Sequence, residues 1–474
     1  MEKTYRQLTW SIVALWYLFC LLTLNYNGPF IDEGIYITAG QRTLEGHGLT
    51  DGYLGWFAGS LLWPTMAGFG SWFGGLAGAR AIAATFAAIA LLASAVTTRN
   101  LFGDAAGFWA TLALALNAPL VALARMGVYD AMALAGIATS LCAITELHKQ
   151  DYRFWLLLAA VSFTVGMFAK YPAGLMFFPL MGVLIILRRE KARTDVVFFA
   201  LTSLAIALAF LMPIRERIAP FFAYRLTNSP ASDVSVAMIA VDLWSLSAVP
   251  LALAAAGWLA AKNRRLLASV LFLCLFLWPA YHLVLRDSVS RNKHIVYGFV
   301  FAYPLVGLAL AKLWEVRLPI RLSQAATVAL VVALGAVGST QGTRLTRAWP
   351  DARPAVSYLL GQVRPGQRLL INESWPYTMY LYRENRISSP WDVFDVYRIT
   401  HDESEIGLCE YDWFVESQGA NQWPASIRDE VFGCGTFEPV FSTTSDVENM
   451  GFDLNYVSYQ VSITVWQNTG KVTQ

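Results

Sequence analysis

Charged residues are scarce in this sequence. Of its 474 residues, 14% are Asp, Glu, Lys or Arg, whereas 56% are hydrophobic. Soluble domains carry about 25% charged residues. Apolar runs recur along the chain with few charges inside them, which predicts a polytopic membrane protein.

Several motifs of other protein classes are absent. The C-terminal part has no glycine-rich nucleotide loop. Basic runs are short and lie between apolar segments, which argues against a nucleic-acid partner. Four histidines are scattered without the spacing of zinc ligands, namely His47, His148, His282 and His401.

The five cysteines fall into two groups. Three lie inside apolar segments, where they are expected to be inert: Cys20, Cys142 and Cys274. Cys409 and Cys434 lie in the polar C-terminal part. They can form a disulfide if that part faces an oxidising compartment, and the sequence leaves both states open.

The N-terminus predicts an uncleaved first helix. Lys3 and Arg6 precede an apolar run over residues 8–24, and no small-x-small cleavage site follows. This pattern places the N-terminus in the cytoplasm. Residues 56–73 are apolar but interrupted by Pro64 and glycines, and their aromatic content favours helices lying in the membrane interface.

The positive-inside rule then sets the topology. With residues 56–73 in the interface, short basic loops alternate between the two faces, which gives about eleven spans. They lie at about residues 8–24, 79–96, 105–123, 132–147 and 154–169, between Lys170 and Arg188, and at about 196–214, 235–259, 267–285, 296–313 and 323–337. Two further short spans would preserve this orientation, so the prediction is about 11–13 transmembrane helices over residues 1–342, with a first external loop at about 26–77. Residues 343–474 are more polar and predict a small extracytoplasmic α/β domain, with strands at residues 368–372, 413–416 and 457–467 and helices at 356–363 and 377–383.

This topology gathers carboxylates and cations at the outer face. A carboxylate can accept a proton from a hydroxyl, and Lys or Arg can hold a phosphate. Two carboxylates can also share a hard divalent cation. The groups concerned are Asp32, Glu33 and Tyr36; Tyr129 and Asp130; Lys170 and Tyr171; and Arg291, Lys293 and His294.

Simpler roles exist for each residue taken alone. Asp32 and Glu33 can stabilise the start of an interfacial helix, and Asp130 can be the N-cap of the fourth span. Lys170 and the 291–294 cluster can extend to the headgroup region. Their joint occurrence on one face favours a functional site.

Four local patterns resemble one enzyme superfamily. Asp32-Glu33-Gly34-Ile35-Tyr36 after the first span resembles the first-loop motif of GT-C glycosyltransferases. The likeness extends over about residues 8–190 and is greatest to the branch of bacterial aminoarabinose transferase and the protein O-mannosyltransferases. The other three patterns are residues 78–80 together with 99–103, residues 126–130 and residues 167–172.

The resemblance implies a GT-C fold and an inverting transfer of one sugar from a polyprenyl-phosphate donor. It implies a multi-pass protein of a bacterial-type inner membrane, with the active site and C-terminus extracytoplasmic. Asp32 would be the catalytic base, and Asp130 a supporting acid or acceptor-site residue. The implied substrate-binding residues are Glu33, Tyr36, Tyr129, Lys170, Tyr171, Arg291, Lys293 and His294.

Metal dependence stays open, since Asp32 and Glu33 can bind Mg²⁺, Mn²⁺ or Zn²⁺; no other cofactor is expected. The expected partners are the lipid-linked donor and membrane lipid. Neither the sugar nor the acceptor (lipid, glycan or protein) follows from the sequence. Two alternatives are a transporter or flippase, which internal repeats would favour but the sequence does not show, and an outer-face ligase of whole glycans.

Overall fold

The structure, a computed structural model, describes residues 2–47, 60–216, 234–316, 322–395, 407–418, 423–448 and 458–470. The chain packs as two compact units. The helical unit comprises Met1–Leu24, Leu54–Trp63 and Arg80–Thr343, and the mixed unit comprises Asn25–Tyr53, Pro64–Ala79 and Arg344–Gln474. Residues 48–59 of the predicted first loop lie outside the described residues.

Helices account for nearly all of the described chain up to residue 346. The apolar runs that predicted spans coincide with them. In chain order they are α1 Glu2–Leu22, α2 Ile31–Leu44, α3 Leu62–Phe102, α4 Asp104–Ala115, α5 Ala118–Arg125, α6 Asp130–Gln150, α7 Phe154–Ala169, α8 Phe177–Leu187, α9 Ala192–Leu211, α10 Val236–Ala260, α11 Arg265–Leu273, α12 Leu277–Leu285, α13 Arg291–Glu315 and α14 Leu322–Thr346.

Seven of the described helical segments are long and apolar enough to cross a membrane, and the pair α4–α5, bent by 64°, makes an eighth if it is one span. Two shorter apolar segments, Phe154–Ala169 and Tyr171–Leu187, coincide with the predicted fifth and sixth spans. The protein is therefore a multi-pass α-helical membrane protein. All eleven predicted spans fall on helices. Seven of these helical segments are, taken singly, long and apolar enough to cross a membrane.

Helix α3 is broken about a third of the way along its length. Gly74 and Gly75 have non-helical backbone angles, and Gly75 has a positive φ of 58°. Glycine adopts this conformation without the steric cost of a Cβ atom. The break separates residues 62–73 from the rest of α3, close to the predicted division between the interfacial segment and the second span.

Helices α6 and α7 pack closely through a glycine pair. A Cβ atom added at Gly136 of α6 would lie 2.5 Å from the carbonyl oxygen of Ser162, and one at Gly166 of α7 would lie 2.9 Å from that of Ala133. Small residues allow such backbone approach between membrane helices. This contact fixes the two helices whose ends carry Asp130 and Lys170.

Four basic loops meet at one end of the helical unit. The guanidinium of Arg264 donates to the carbonyl oxygen of Leu101 at 2.9 Å, and Lys149 donates to Asn100 at 3.0 Å. Lys191 and Arg188 both hydrogen-bond Asp151 and lower its carboxyl pKa to about 2.

The other end of the same unit carries Asp130. Helix α6 begins at Asp130 and ends at Gln150, beside the basic loops. Its 21 residues correspond to about 30 Å of helix. Asp130 and the basic loops are thus separated by roughly the thickness of a bilayer core.

The mixed unit contains a five-stranded sheet in the order β2-β1-β3-β5-β4. Strands β1, β2 and β3 are parallel, and β5 runs antiparallel to both β3 and β4. The elements are α15 Arg353–Gln362, β1 Leu369–Ile371, α16 Ser374–Arg383, β2 Val393–Phe394, β3 Trp413–Ser417, α17 Ala425–Gly433, β4 Phe437–Glu448 and β5 Ser458–Asn468.

Both faces of β1 and of the first three residues of β3 are covered, so these sequences are continuously apolar rather than alternating. Trp413 and Val415 pack in one buried cluster with residues of α15 and α16. Phe414, between them, packs in a second cluster with Ile427 and Val431 of α17. The strands predicted at residues 368–372, 413–416 and 457–467 are confirmed, whereas β2, β4 and α17 were not predicted.

Cys409 and Cys434 form a disulfide, with their Cα atoms 5.6 Å apart. It joins the short helical turn before β3 to the residue that follows α17. The sequence left this pairing open. Cys20 and Cys274 are buried and unbonded, as expected for cysteines of apolar segments.

Candidate functional site

Asp32 and Glu33 lie in the first turn of α2 in the mixed unit. The backbone N–H of Phe30 donates to the Glu33 carboxylate at 2.8 Å. This contact satisfies a donor at the helix N-terminus, so the predicted alternative of a helix-stabilising role is confirmed for Glu33. Glu33 is fully buried, whereas Asp32 is partly exposed.

Backbone contacts fix the position of α2 within the mixed unit. A Cβ atom at Gly34 would lie 2.5 Å from the carbonyl oxygen of Trp375 in α16. One at Gly40 would lie 1.9 Å from the carbonyl oxygen of Pro64 in α3. Tyr36, predicted as a substrate contact, is buried between these two positions. The turn that carries Asp32 is therefore held rigidly against α16.

Glu373 is a further acid of the mixed unit, and no sequence pattern singled it out. It immediately precedes α16. Burial raises the pKa of its carboxyl to about 7. A carboxyl group with a pKa near neutrality can exchange a proton under physiological conditions.

A second group of predicted residues meets in the helical unit. Lys170, directly after α7, places its ammonium 2.5 Å from Asp130 Oδ1. The hydroxyl of Tyr297 in α13 donates to the same oxygen at 2.9 Å. Both members of the ion pair are buried, with side-chain exposures of 5% and 0%. We call Asp130, Lys170 and Tyr297 the buried triad.

This geometry decides between two of the earlier alternatives. Asp130 makes no N-terminal capping bond on α6, so the N-cap prediction for it is wrong; its Oδ1 instead binds Lys170 and Tyr297. Lys170 does not reach towards a headgroup region, because its ammonium is buried against Asp130. Burying a charged group costs free energy unless an opposite charge lies beside it, and Asp130 provides that charge for Lys170.

One oxygen of the triad has no partner among the described residues. Asp130 Oδ2 is buried and accepts no hydrogen bond there. Buried carboxylate oxygens are normally satisfied by protein or water. Asp130 can therefore accept a hydrogen bond from a bound hydroxyl group, while Lys170 supplies a cation beside it.

A histidine pair extends the triad along α13. His294 Nδ1 lies 3.0 Å from His282 Nε2, and His282 Nδ1 lies 2.7 Å from the carbonyl oxygen of Asp287. The His294 ring is 4.5 Å from that of Trp278. His294 Nε2 is buried without a hydrogen-bond partner in the described part of the chain, so a second polar atom here can receive a ligand.

The other predicted residues of the helical unit take different positions. The ring of Tyr129 lies 4.7 Å from the Lys170 ammonium, as in a cation–π contact. Arg291 forms an ion pair with Asp242 of α10 at 2.6 Å. Lys293 is buried, and Tyr171 packs against the ring of Phe168. Tyr129 thus contacts the triad through Lys170, whereas Arg291 is paired with a residue of α10.

The described residues contain no group of three or more His, Cys, Asp or Glu side chains that could hold a metal ion. Asp32 and Glu33 supply two carboxylates, one of which accepts the Phe30 N–H. Protein sites for hard cations usually need more oxygen ligands than two. Within the described ranges Asp32 and Glu33 thus supply fewer oxygen ligands than such a site needs; metal binding by this pair stays a prediction, and we derive no chemical step through a metal.

Comparison with known proteins agrees with this architecture. The family model described as dolichyl-phosphate-mannose-protein mannosyltransferase matches residues 65–215, which include Asp130 and Lys170. Among curated proteins, none matches the chain.

Solved structures match over nearly the whole chain. ArnT from Cupriavidus metallidurans in the apo state matches with a TM-score of 0.63 at 14% identity, covering 96% of this chain and 97% of its own. The same protein bound to undecaprenyl phosphate matches with a TM-score of 0.61 at 13% identity, covering 98% of each chain. The chain has the GT-C fold. An oligosaccharyltransferase from Archaeoglobus fulgidus matches with a TM-score of 0.50 at 12% identity, covering 86% of this chain and 69% of its own.

The GT-C fold confirms the predicted fold class, whereas the roles of individual residues stay predictions. Sequence reasoning missed Tyr297, because a tyrosine in an apolar run is usually a packing residue. A weak signal existed, since Tyr297 follows His294 by three residues and therefore shares its helix face. His282 was noted in the sequence, but nothing there connected it with His294.

Proposed function

We propose that the protein is an integral-membrane glycosyltransferase that moves one sugar from a polyprenyl-phosphate donor to an acceptor. The observation that carries this proposal is the buried triad. A paired carboxylate and ammonium with an unsatisfied Asp130 Oδ2 lie in a fold shared with ArnT, which was crystallised with undecaprenyl phosphate.

The triad suits the donor side of the reaction. When the bond between the sugar and the phosphate breaks, negative charge develops on the leaving phosphate. A preorganised cation such as Lys170 in a water-poor site stabilises that charge strongly. Asp130 holds Lys170 in place, and its Oδ2 can accept a hydrogen bond from a substrate hydroxyl.

Asp32 is the proposed base. The carboxylate would take the proton of the acceptor hydroxyl while the acceptor oxygen attacks the anomeric carbon from the side opposite the phosphate, inverting that carbon. This assignment rests on the resemblance of residues 32–36 to the first-loop motif. It is supported by the partial exposure of Asp32, because a base must be reachable by its substrate.

We also propose an extracytoplasmic active site in a bacterial-type inner membrane. The Cys409–Cys434 disulfide supports this, since disulfides persist in oxidising compartments. The basic loops at the other end of the helical unit support it too, because Lys and Arg accumulate on the cytoplasmic side. Both observations favour the same orientation of the chain.

The test is a transfer assay with the full-length protein in detergent or nanodiscs. The protein is incubated with undecaprenyl-phosphate sugars, hexose and pentose, and with envelope lipids, glycans and peptides as acceptors. Mass spectrometry should find an acceptor heavier by one sugar, together with free undecaprenyl phosphate. A product carrying a whole glycan from a lipid diphosphate would instead indicate a ligase. Absence of any product across the panel would contradict the transferase proposal.

Asp32→Asn tests the proposed base. Removing a general base typically lowers the rate by about 10²–10⁴-fold. The matched control is Glu384→Gln, an exposed acid of the same unit that pairs with Arg383, which should leave the rate unchanged. An Asp32→Asn protein that transfers at the normal rate would show that another group accepts the proton.

A further inference from the structure

A basic cavity of about 310 Å³ lies at the end of the helical unit opposite Asp130. Four of its lining residues are His148, Arg189, Arg264 and Arg265, and no Asp or Glu lines it. Its other lining residues include Ile186 and Leu266, so apolar surface adjoins the cations. Cavities of about 300 Å³ and more accommodate small ligands.

Two of the arginines are fixed by the protein. Arg264 donates to the carbonyl oxygen of Leu101 at 2.9 Å. Arg265 donates to that of Trp258 at 2.9 Å, and its guanidinium carbon lies 4.7 Å from the centre of the Trp258 ring. An arginine held in this way loses less side-chain freedom when it binds an anion.

The remaining two basic side chains are available. Arg189 and His148 are exposed. Neither forms an ion pair or hydrogen bond with any residue in the described ranges. Glu190 follows Arg189 in the sequence but does not line the cavity. The positive charge of the cavity is therefore not neutralised by the part of the protein that the structure describes.

A neighbouring cavity of about 550 Å³ provides a contrast. It is lined by three bases and three acids, namely Arg6, Arg99, Lys149, Glu2, Asp104 and Glu146. Arg6 pairs with Asp104 at 3.4 Å, and Arg99 pairs with Glu146 at 3.7 Å. Charges in that cavity compensate one another, so the uncompensated charge of the first cavity is not a general property of this end.

The helices that meet at the basic cavity present apolar side chains to the surroundings. Helix α8 ends there and α11 begins there, since Leu187 and Arg265 both line it. Phe178 and Ile185 of α8 are 72% and 46% exposed, and Leu266 and Leu273 of α11 are 55% and 63% exposed. Such surfaces in a membrane protein face acyl chains.

We infer that this cavity binds the headgroup of an anionic phospholipid from the surrounding bilayer. The phosphate lies among the arginines, and the acyl chains run along the apolar sides of α8 and α11. Basic pockets between membrane helices on the cytoplasmic side are suited to anionic headgroups. The site is separate from the buried triad, and its occupant is a component of the membrane rather than a substrate.

Native mass spectrometry tests this inference. The full-length protein is released from nanodiscs of phosphatidylcholine and phosphatidylglycerol in equal amounts, and the lipids retained on it are identified. Phosphatidylglycerol should be retained in preference to phosphatidylcholine, which has the same phosphate but no net charge. Arg189→Gln should weaken that retention about fivefold, the usual contribution of one basic residue near a membrane surface.

Arg193→Gln is the matched control. Arg193 is exposed, lies at the same end of the unit and lines neither cavity. An equal loss of phosphatidylglycerol in Arg193→Gln and Arg189→Gln would overturn the inference, since it would mean a diffuse charge effect. Displacement of phosphatidylglycerol by soluble glycerol phosphate would overturn it as well, because the cavity would then be a site for soluble anions. Equal retention of both lipids by the unaltered protein would have the same consequence.

Discussion

Two lysine–aspartate pairs lie near opposite ends of the helical unit, and both join their charged atoms at 2.5 Å. Lys170 and Asp130 are buried, with side-chain exposures of 5% and 0%. Lys191 and Asp151 are exposed, at 55% and 53%. Distance alone does not distinguish these pairs; burial does.

The difference has an energetic basis. Water already stabilises the separate charges of the exposed pair, so their contact adds little. The buried charges have lost their water, and each depends on the other. A chain retains such a pair either for packing specificity or for chemistry. The unsatisfied Asp130 Oδ2 favours chemistry.

The largest expected effect is that of Lys170→Met. It leaves the Asp130 carboxylate buried without its cation, which should cost about 3–5 kcal/mol of stability. A lower melting temperature in detergent and loss of transfer activity are the measurements. The double variant Asp130→Asn/Lys170→Met should regain much of the melting temperature but not the activity. Equal stability of the single and double variants would mean that the two charges do not depend on each other.

Glu373→Gln extends the comparison of buried and exposed charges to a buried acid of the mixed unit. Its carboxyl pKa is raised from 4.5 to about 7 by burial. The protonated form therefore stabilises the fold at low pH, and this contribution is lost as the pH rises from about 4.5 through 7. The glutamine variant should be more stable than the unaltered protein at pH 8, by up to about 3 kcal/mol, and about equally stable near pH 4.

Melting temperatures of the two proteins across this pH range are the measurement. A constant difference between them would contradict the raised pKa. The control Glu384→Gln removes an exposed carboxylate of the same unit and should show no such pH dependence.

Tyr297→Phe removes one hydrogen bond to the buried pair and leaves the ion pair intact. Hydrogen bonds to charged groups contribute about 1.5–3 kcal/mol, so a smaller loss of stability than for Lys170→Met is expected. Tyr303→Phe is the control, because Tyr303 is buried on the same helix but does not bind Asp130. A drop in melting temperature as large in Tyr303→Phe would mean that lost packing, not the bond to Asp130, is responsible.

Lys191→Met should have the smallest effect. The pair is exposed, and Arg188 continues to bind Asp151. The melting temperature should therefore stay unchanged within error. A loss comparable to that of Lys170→Met would show that burial does not separate the two pairs.

Local sequence predicted most of the helices because the membrane demands long apolar runs. The starts of α6 and α10 lie within a few residues of their predicted positions. Strand β4, Phe437–Glu448, was missed because it is an edge strand whose sequence lacks the regular apolar alternation of a half-buried strand.

The candidate site was predictable in part. Asp130 and Lys170 follow from their places at the ends of neighbouring spans. Tyr297 is 167 residues from Asp130 along the chain, and no local pattern connects them. The burial of Glu373 depends on tertiary packing in the same way, so its raised pKa could not be read from the sequence.

The mixed unit is assembled from both extremes of the chain, and this sets the order of events during synthesis. Gly34 in α2 rests on Trp375 of α16, so α2 leaves the ribosome long before its packing partner exists. At about 5–20 residues per second, that interval is on the order of 20–70 s. During this time the turn that carries Asp32 lacks the support of α16. The helix that carries the proposed base therefore gains its packing partner only when the last part of the chain is made. A protein truncated before α16 would reach the membrane without that support for Asp32.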